Sequence, residues 1–294
     1  MLFSLDMAVA SEVPSTFRSS AIRPGPIELI RLGIKELLAR RRLIRYLVQA
    51  DLKRQGSDSL LGNIWWVIDP LLQMAVYVVL IVVIFNRPQP DYPLFLFCAV
   101  LPWKWFNSSI TAGIASVVGM ERLIKQINFP KLVLPVATVM AGVVNFFFGL
   151  IPLGLMIVLF YPDRATPWLL LIPIVALVQL LVTLPVAIVL SAFNVFYRDV
   201  GNLAGHVLRL AFYVSPGLYA IDLTYKAAEK YPLLAPIILA NPWNVLFTSY
   251  RDVIYDGRAP DWAGLGLVTI GSVVFLAVAI FIFKRLEPTF AKVL

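Results

Sequence analysis

The chain has 294 residues, of which 60% are hydrophobic and only 14% are charged. Soluble domains have about 25% charged residues, so this composition excludes a water-exposed globular protein and indicates an integral membrane protein. At this length the chain has no room for a separate soluble catalytic domain beside its membrane helices. The net charge of +8 lies in the N-terminal region and at short joints. That distribution is typical of membrane topology and contact with anionic lipid rather than of nucleic-acid binding.

The N-terminal part precedes the first apolar run. Residues 1–26 are mixed and polar and lack the features of a secretory signal, so we expect a flexible cytoplasmic tail. Residues 27–50 carry apolar side chains at helical spacing with arginines and lysines mostly on the other sides. This pattern predicts an amphipathic helix that lies in the membrane surface, ahead of a transmembrane domain over 51–294. An ordinary solvated helix is the alternative.

Six apolar runs predict an all-α membrane fold with six spanning helices, since roughly 20 apolar residues cross a bilayer core. The predicted spans are 63–85, 94–118, 132–160, 168–197, 205–221 and 262–283. Basic residues concentrate on alternate joints, which predicts cytoplasmic N- and C-termini and a place in the cell inner membrane. The external stretch before the last span contains two short apolar pieces, 231–240 and 244–254. We expect re-entrant helices there, and a surface loop is the alternative.

Motifs for chemistry are absent from the sequence. It contains no G-x-x-x-x-G-K-[ST], no G-x-S-x-G and no H-E-x-x-H, and it has one cysteine, Cys98, and one histidine, His206. ATP binding through a P-loop and metal sites built on several Cys or His ligands are therefore excluded, and no catalytic or metal residue is predicted. The chain has helices that could form a membrane pathway, but it has no motif that could supply energy for transport. We therefore expect a partner subunit that supplies the energy.

Two local features of the sequence concern the contact with this partner and the coupling of transport to an ion. The segment 120–134 predicts a short amphipathic helix ended by Pro130, which suits a contact with that partner, although a simple loop between helices is the alternative. Asp69 is an acid inside the first span, about 10 Å from its start by helical rise. We expect it to pair with Arg209 or a backbone N–H rather than to couple transport to an ion.

Several motifs occur in a characteristic order along most of the chain. They are Ser59-Leu60-Leu61-Gly62 with Trp65-Trp66 and Pro70, Leu101-Pro102-Trp103, Asn128-Phe129-Pro130, Phe196-Tyr197-Arg198-Asp199-Val200, Ser215-Pro216 with Tyr219, Asn241-Pro242, Tyr250-Arg251 and Glu287-Pro288-Thr289-Phe290. In these residues the chain resembles the membrane subunits of polysaccharide-exporting ABC transporters. These type-2 exporter permeases move O-antigen, teichoic acid or related polymers on a lipid carrier. Asp69 departs from the family pattern, where a neutral residue is more usual.

The resemblance implies a homodimer of this chain with two cytoplasmic ABC ATPase subunits, and a channel between the two copies. ATP and Mg²⁺ would bind to the partner ATPase, and this chain would need no cofactor. The coupling residues that the resemblance implies are Arg122, Leu123, Lys125, Asn128, Phe129, Pro130, Arg198 and Asp199.

A sliding glycan needs aromatic faces and few fixed charges along its path. The candidate channel residues are Trp103, Trp105, Phe106, Tyr77, Tyr213 and Tyr219. Anchoring at the membrane interface is the alternative role for such aromatics. A diphosphate on the lipid carrier would suit the bases before the first span, which are Arg41, Arg42, Arg45, Lys53 and Arg54. Attraction to ordinary anionic lipid, together with the setting of membrane topology, is the favoured alternative for those bases.

The sequence therefore predicts the permease subunit of an ATP-driven exporter of a lipid-linked, O-antigen-like polysaccharide. A type-2 permease for a drug or a small lipid is the first alternative, and a membrane transferase acting on a lipid carrier is the second. A secondary carrier is disfavoured because the spans contain almost no ionisable groups.

Overall fold

A computed structural model of the chain describes residues 24–57, 62–85 and 90–294. Most of the predicted tail 1–26 and the Ser59-Leu60-Leu61 motif lie outside the described residues. The described residues form helices and no strands, which confirms the predicted all-α class. The α-helices are α1 Pro26–Ala39, α2 Arg41–Ser57, α3 Trp65–Val78, α4 Tyr92–Ser116, α5 Glu121–Gln126, α6 Val133–Phe160, α7 Ile172–Phe196, α8 Val200–Val214, α9 Ile221–Lys230, α10 Ala235–Leu239, α11 Pro242–Arg251 and α12 Trp262–Val293.

Three of these helices are extended by other helical turns. A π-helix over Val79–Ile84 continues α3, and another over Asp252–Asp256 continues α11. A 3₁₀ segment over Pro167–Leu171 leads into α7. With these extensions, four helices in the described part of the chain are long and apolar enough to cross a membrane: Trp65–Ile84, Val133–Phe160, Pro167–Phe196 and Trp262–Val293. The chain is therefore a multi-pass membrane protein.

The other two predicted spans differ from these four. Helix α4 has 25 residues, but Lys104, Asn107 and two serines interrupt its apolar character. Helix α8 has 15 residues and is about 22 Å long, which is short of a bilayer core of about 30 Å. It begins at Val200 and ends at Val214 rather than covering 205–221. The spans 94–118 and 205–221 therefore stay predictions.

Helix α4 lies at the centre of the bundle. It packs against α3, α6, α7, α8 and α11, and most of its side chains are buried. Two amides on α7 bind backbone carbonyls of α4: Gln179 Nε2 donates to Pro102 O at 2.9 Å and Asn194 Nδ2 donates to Ile114 O at 2.9 Å. Tyr250 Oη of α11 donates to Gln179 Oε1 at 2.8 Å. These bonds fix α4, α7 and α11 relative to one another, since buried polar groups are costly without partners.

The N-terminal segment forms two helices where the sequence predicted one over 27–50. Helix α1 ends at Ala39, and its C-cap residue Arg40 has φ −100° and ψ 21°. Helix α1 packs against α12, and α2 packs against α6. Because the two helices bind different partners, the chain changes direction between them. Their position in the membrane surface stays a prediction.

The stretch before α12 contains three short helices rather than two. The polar segment Ile221–Lys230 forms α9, which the apolar pattern missed. Helix α10 has only five residues and no buried side chain. Helix α11 begins with Asn241, whose Oδ1 accepts a hydrogen bond from Trp243 N at 3.0 Å, and it is largely buried. Re-entrance into a membrane stays a prediction for these helices.

Candidate functional site

One face of α4 is polar and open although the rest of the helix is buried. Lys104, Asn107, Ser108 and Thr111 recur at intervals of three and four residues, so they lie along one side of the helix. Three of them are exposed and Lys104 is half-buried. This stripe borders a cavity of about 540 Å³ between α3, α4 and α8, which we call the polar groove.

The three helices contribute different chemistry to the polar groove. Helix α4 supplies the hydroxyl and amide groups of its polar stripe, and α3 supplies Gln73. The rings of the groove come from all three helices, and they are Tyr77, Trp103, Phe212 and Tyr213. Tyr213 is 50% exposed, whereas Trp103 is 5% exposed. Tyr213 is therefore free to contact a ligand, and Trp103 forms part of the wall.

A cluster of aromatic side chains supports that wall. The Trp103 ring centre lies 4.8 Å from that of Trp243, 5.3 Å from that of Phe106 and 5.3 Å from that of Phe212. Such edge-to-face and tilted contacts stabilise a fixed arrangement of rings. The back of the groove is therefore rigid.

The polar groove contains three fixed charges, Asp69, Lys104 and Arg209. Lys104 Nζ lies 2.9 Å from Asp69 Oδ2. The expected local partner of Asp69 is thus present, but it is Lys104 and not Arg209. Within the described ranges Arg209 has no hydrogen bond or ion pair, although it lines the same cavity. The polar groove thus contains more fixed charge than the sequence predicted for a glycan path, and whether a glycan passes through it stays a prediction.

Three of the six predicted channel aromatics meet in the polar groove, and three do not. Tyr77, Trp103 and Tyr213 line it. Trp105 instead packs against Phe146 at 4.9 Å, between α4 and α6.

The other two also lie elsewhere. Phe106 is buried against Trp243 at 4.9 Å. Tyr219 follows α8, where its hydroxyl donates to Val214 O at 2.8 Å. Neighbours on a helix differ by about 100° in direction, so the run Trp103-Lys104-Trp105-Phe106 could not present all its rings to one cavity.

The predicted coupling helix exists but is shorter than expected. Helix α5 ends at Gln126, four residues before Pro130, and Ile127 is already extended with φ −128° and ψ 134°. Proline disfavours helical backbone in the residue before it, which keeps Phe129 out of the helix. The buried Ile124 holds α5 against the bundle.

The remaining predicted coupling residues lie around α5. Arg122, Lys125 and Asn128 are exposed, as are Arg198 and Asp199 at the joint before α8, while Leu123, Phe129 and Pro130 are half-buried. Lys125 Nζ lies 2.7 Å from Glu121 Oε1. The hydrogen bond and charge of Lys125 lower the pKa of the Glu121 carboxyl, and Arg198 contributes to this lowering. The joint before α8 therefore lies on the same surface as α5.

An ionic cluster that sequence reasoning missed lies beside this surface. Lys284 Nζ on α12 lies 2.7 Å from Glu36 Oε2 on α1, and it also pairs with Glu287 Oε2. Glu287 Oε1 accepts a hydrogen bond from Lys131 N at 2.6 Å. We call Glu36, Lys284 and Glu287 the ionic knot. The ionic knot connects α1, α12 and the segment after α5. The sequence signal for part of it was the Lys-x-x-Glu spacing of Lys284 and Glu287, which places both side chains on one side of a helix.

The ionic knot borders a cavity of about 880 Å³. Asn128, Phe129 and Pro130 lie on the same cavity. Three predicted coupling residues are therefore adjacent to the point where α1 and α12 are joined.

The bases that precede the first span fall into two groups. Arg41, Arg42 and Arg45 are exposed near the start of α2, while Lys53 and Arg54 are near its end. Arg41 and Lys53 are about 18 Å apart along the helix axis. Arg54 pairs with Asp51 at 3.0 Å and lines a second cavity of about 280 Å³ between α2, α4 and α6. The five bases therefore lie in two groups at opposite ends of α2.

A buried arginine organises the opposite end of the bundle. Arg251 guanidinium nitrogens donate to Pro216 O at 2.6 Å, Gly217 O at 2.7 Å and Tyr219 O at 3.1 Å. This arrangement holds the turn after α8 against α11. The motif residues around 215–219 and 250–251 are therefore partners of one another, which gives them a structural role.

Comparisons with known proteins give a consistent picture. No protein-family model matches the chain. The chain is 35% identical to the O-antigen export system permease protein RfbA of Myxococcus xanthus over 264 residues, which are 90% of this chain and 99% of that protein. It is 30% identical to an O-antigen export system permease protein RfbA of Klebsiella pneumoniae over 255 residues, which are 86% of this chain and 95% of that protein. A second protein of that name from Klebsiella pneumoniae is 30% identical over 253 residues. The likeness thus extends over nearly the whole of each chain.

Proposed function

Since this chain belongs to the family of O-antigen export system permease proteins, the membrane subunits of type-2 ABC exporters, we propose that it exports a lipid-linked, O-antigen-like polysaccharide. Export would proceed across the cell inner membrane, through a channel between two copies of this chain. Both termini would be cytoplasmic, as the distribution of basic joints predicts.

The polar groove is the observation that carries this proposal. Sugars offer hydroxyls and flat C–H faces, and the groove offers exposed Asn107, Ser108 and Thr111 beside the rings of Tyr77 and Tyr213. A polar stripe on a membrane helix is costly against lipid, and it is tolerated where it faces protein or a water-filled cavity. The open side of the groove thus supports a second copy that closes it.

The energy would come from a partner subunit. The chain carries no P-loop, so ATP and Mg²⁺ would bind to a cytoplasmic ABC ATPase, two copies of which would contact the dimer. The exposed Arg122, Lys125 and Asn128, with Arg198 and Asp199, form the surface that we assign to this contact. The ionic knot beside it would carry movement from that surface to α1 and α12.

The lipid diphosphate would be received near α2. Arg54 has the strongest support among the five bases, because it lines a cavity next to α4. Lys53 lies next to Arg54, whereas Arg41, Arg42 and Arg45 lie at the other end of the helix. Those three would meet the diphosphate first, in the membrane surface, or would bind ordinary anionic lipid.

Deletion of the gene in its native host tests the proposed function. Loss of surface glycan with accumulation of the lipid-linked glycan inside the cell is the expected result, and the wild-type gene should restore export. A variant with Lys226→Gln, an exposed side chain on α9 away from the groove, should restore export equally well. Normal surface glycan in the deletion strain, without accumulation inside, would contradict the proposal.

A further inference from the structure

The charges in the polar groove have no explanation in the transport of a neutral glycan. Lys104 is twelve residues from each end of α4, Tyr92 and Ser116, which places it about 18 Å from either end. If α4 crosses the membrane as the sequence predicts, this position is near mid-depth, where ionisable groups are expensive and mark the paths of substrates and ions. The groove therefore holds charge where a neutral polymer would need none.

The sign of the excess charge is positive. Asp69 neutralises Lys104 across 2.9 Å, and Arg209 lines the cavity without an acidic partner in the described part of the chain. The positive charge of Arg209 is therefore not balanced by an acid among the described residues of the groove. The ammonium of Lys104 lies nearby and is paired with the half-exposed carboxylate of Asp69. Guanidinium groups bind phosphate and carboxylate oxygens through paired hydrogen bonds.

We propose that the polar groove binds an anionic group of the exported glycan, a phosphate or a carboxylate, at Arg209 and Lys104. This inference rests on the proposed function and names the chemical class of its substrate. Asp69 acts as the resident counter-charge, which pairs with Lys104 when the groove is empty and competes with the passing anion. Such competition keeps the anion weakly held, as a conducting path requires, because a site must let its ligand leave.

The open face of α4 continues from the polar groove to the cavity beside α2. Ala112, Ala115 and Ser116 line that second cavity together with Arg54, and Thr111 lines the groove. Small side chains connect the two cavities along about 18 Å of helix between Lys104 and Ser116. An anion could thus pass from Arg54 to Lys104 and Arg209 along one continuous face.

Binding by the full-length permease in complex with its ATPase tests the inference through the intrinsic tryptophan fluorescence, to which Trp103 in the groove wall contributes. The probes are trigalacturonate as an acidic saccharide, galactotriose as its neutral match, and a polyprenyl diphosphate as the carrier linkage. The variant Lys104→Gln/Arg209→Gln should bind an anionic probe about tenfold more weakly than wild type and galactotriose equally well. A charge-matched control, Lys226→Gln/Lys230→Gln on α9, should bind all three like wild type.

A further variant separates binding from a purely structural role. Asp69→Asn should bind the anionic probe about threefold more tightly than wild type, because the substitution frees Lys104. If Asp69→Asn changes the affinity for trigalacturonate, the bound anion is part of the sugars. If it affects only the polyprenyl diphosphate, the anion is the carrier linkage.

Two results would overturn the inference. Unchanged affinity of the double variant for both anionic probes, with galactotriose still bound, would overturn it alone. Failure of the wild-type complex to bind any of the three probes would overturn both the inference and the proposed function.

Discussion

The guanidinium carbon of Arg251 lies 3.6 Å from the centre of the Phe95 ring. Arg251 is on α11 and Phe95 is on the first turn of α4, and the same guanidinium binds the carbonyls of the turn after α8. One buried cation thus holds together the two helices α4 and α8 that enclose the polar groove. The relative position of α4 and α8 in the groove therefore depends on this contact.

Replacement of Arg251 by Met should destabilise the protein. Two buried carbonyls and one half-buried carbonyl would lose a charged donor, and bonds to charged groups contribute about 1.5–3 kcal/mol each. We expect a loss of about 3 kcal/mol or more in the free energy of unfolding, seen as a lower melting temperature in detergent. Lys226→Met, on exposed α9, should melt like wild type. Equal melting of the two variants would show that Arg251 is not a structural clamp.

Gly142 should not tolerate a methyl group. A Cβ at this position would overlap Ser109 Oγ and come within 3.0 Å of Trp105 Nε1. Close contact of α4 and α6 therefore requires glycine there, as is common between membrane helices. Gly142→Ala should lower the melting temperature, whereas Gly154→Ala, which has open space in the same helix, should leave it unchanged or raise it. The reverse order would refute the described packing of α4 on α6.

Removal of Lys284 alone should be more harmful than removal of Lys284 together with the charge of its buried partner Glu287. Lys284→Met would leave Glu287 buried without its cation, and breaking a buried pair costs about 3–5 kcal/mol. The double variant Lys284→Met/Glu287→Gln removes the fully buried carboxylate, leaves only the half-buried one of Glu36, and should recover part of the lost stability. Thermal unfolding of both variants in detergent measures the difference. If the double variant were less stable than the single one, the ionic knot would not be the source of the loss.

Substitution of Tyr213 should affect glycan export, whereas substitution of Phe106 should affect the stability of the fold. Tyr213 is 50% exposed in the polar groove, so Tyr213→Ala should reduce glycan export while the melting temperature stays at its wild-type value. Phe106 is buried in the aromatic cluster, so Phe106→Ala should cost about 3–5 kcal/mol in the free energy of unfolding. Surface glycan and thermal unfolding are measured on the same strains and preparations. Full export by Tyr213→Ala would remove this ring from the pathway.

Reversal of charge at Arg122 should weaken binding of the ATPase. Arg122 is exposed on α5, so Arg122→Glu should leave folding intact and lower the yield of ATPase that co-purifies with the permease. Lys226→Glu serves as the matched control on α9. Equal recovery of the ATPase with both variants would place the contact elsewhere.

Local sequence patterns predicted much of the fold and less of the site. Apolar runs gave four of the spanning helices, because length and hydropathy alone decide whether a helix can cross a bilayer. The stripe Lys104, Asn107, Ser108 and Thr111 has helical spacing, but it was not predicted from the sequence. The pairing of Lys104 with Asp69 was not predicted either, since it depends on how α3 crosses α4.

The other differences between the predicted and observed positions have the same origin. Trp105 and Phe106 are buried because of the direction in which α4 faces its neighbours, which composition does not reveal. The ionic knot joins Glu36 to Lys284, two residues that are far apart in the chain. Such contacts follow from tertiary packing, so a single sequence without the fold could not predict them.

Purification of the permease with the proposed ABC ATPase of its host, followed by assay of ATP hydrolysis in lipid vesicles, tests the central claim most directly. A stable complex whose ATP hydrolysis is stimulated by the host's lipid-linked glycan, and not by the free lipid carrier monophosphate, is the predicted result. Absence of a complex with the ATPase, or hydrolysis indifferent to the glycan, would contradict a glycan-exporting permease.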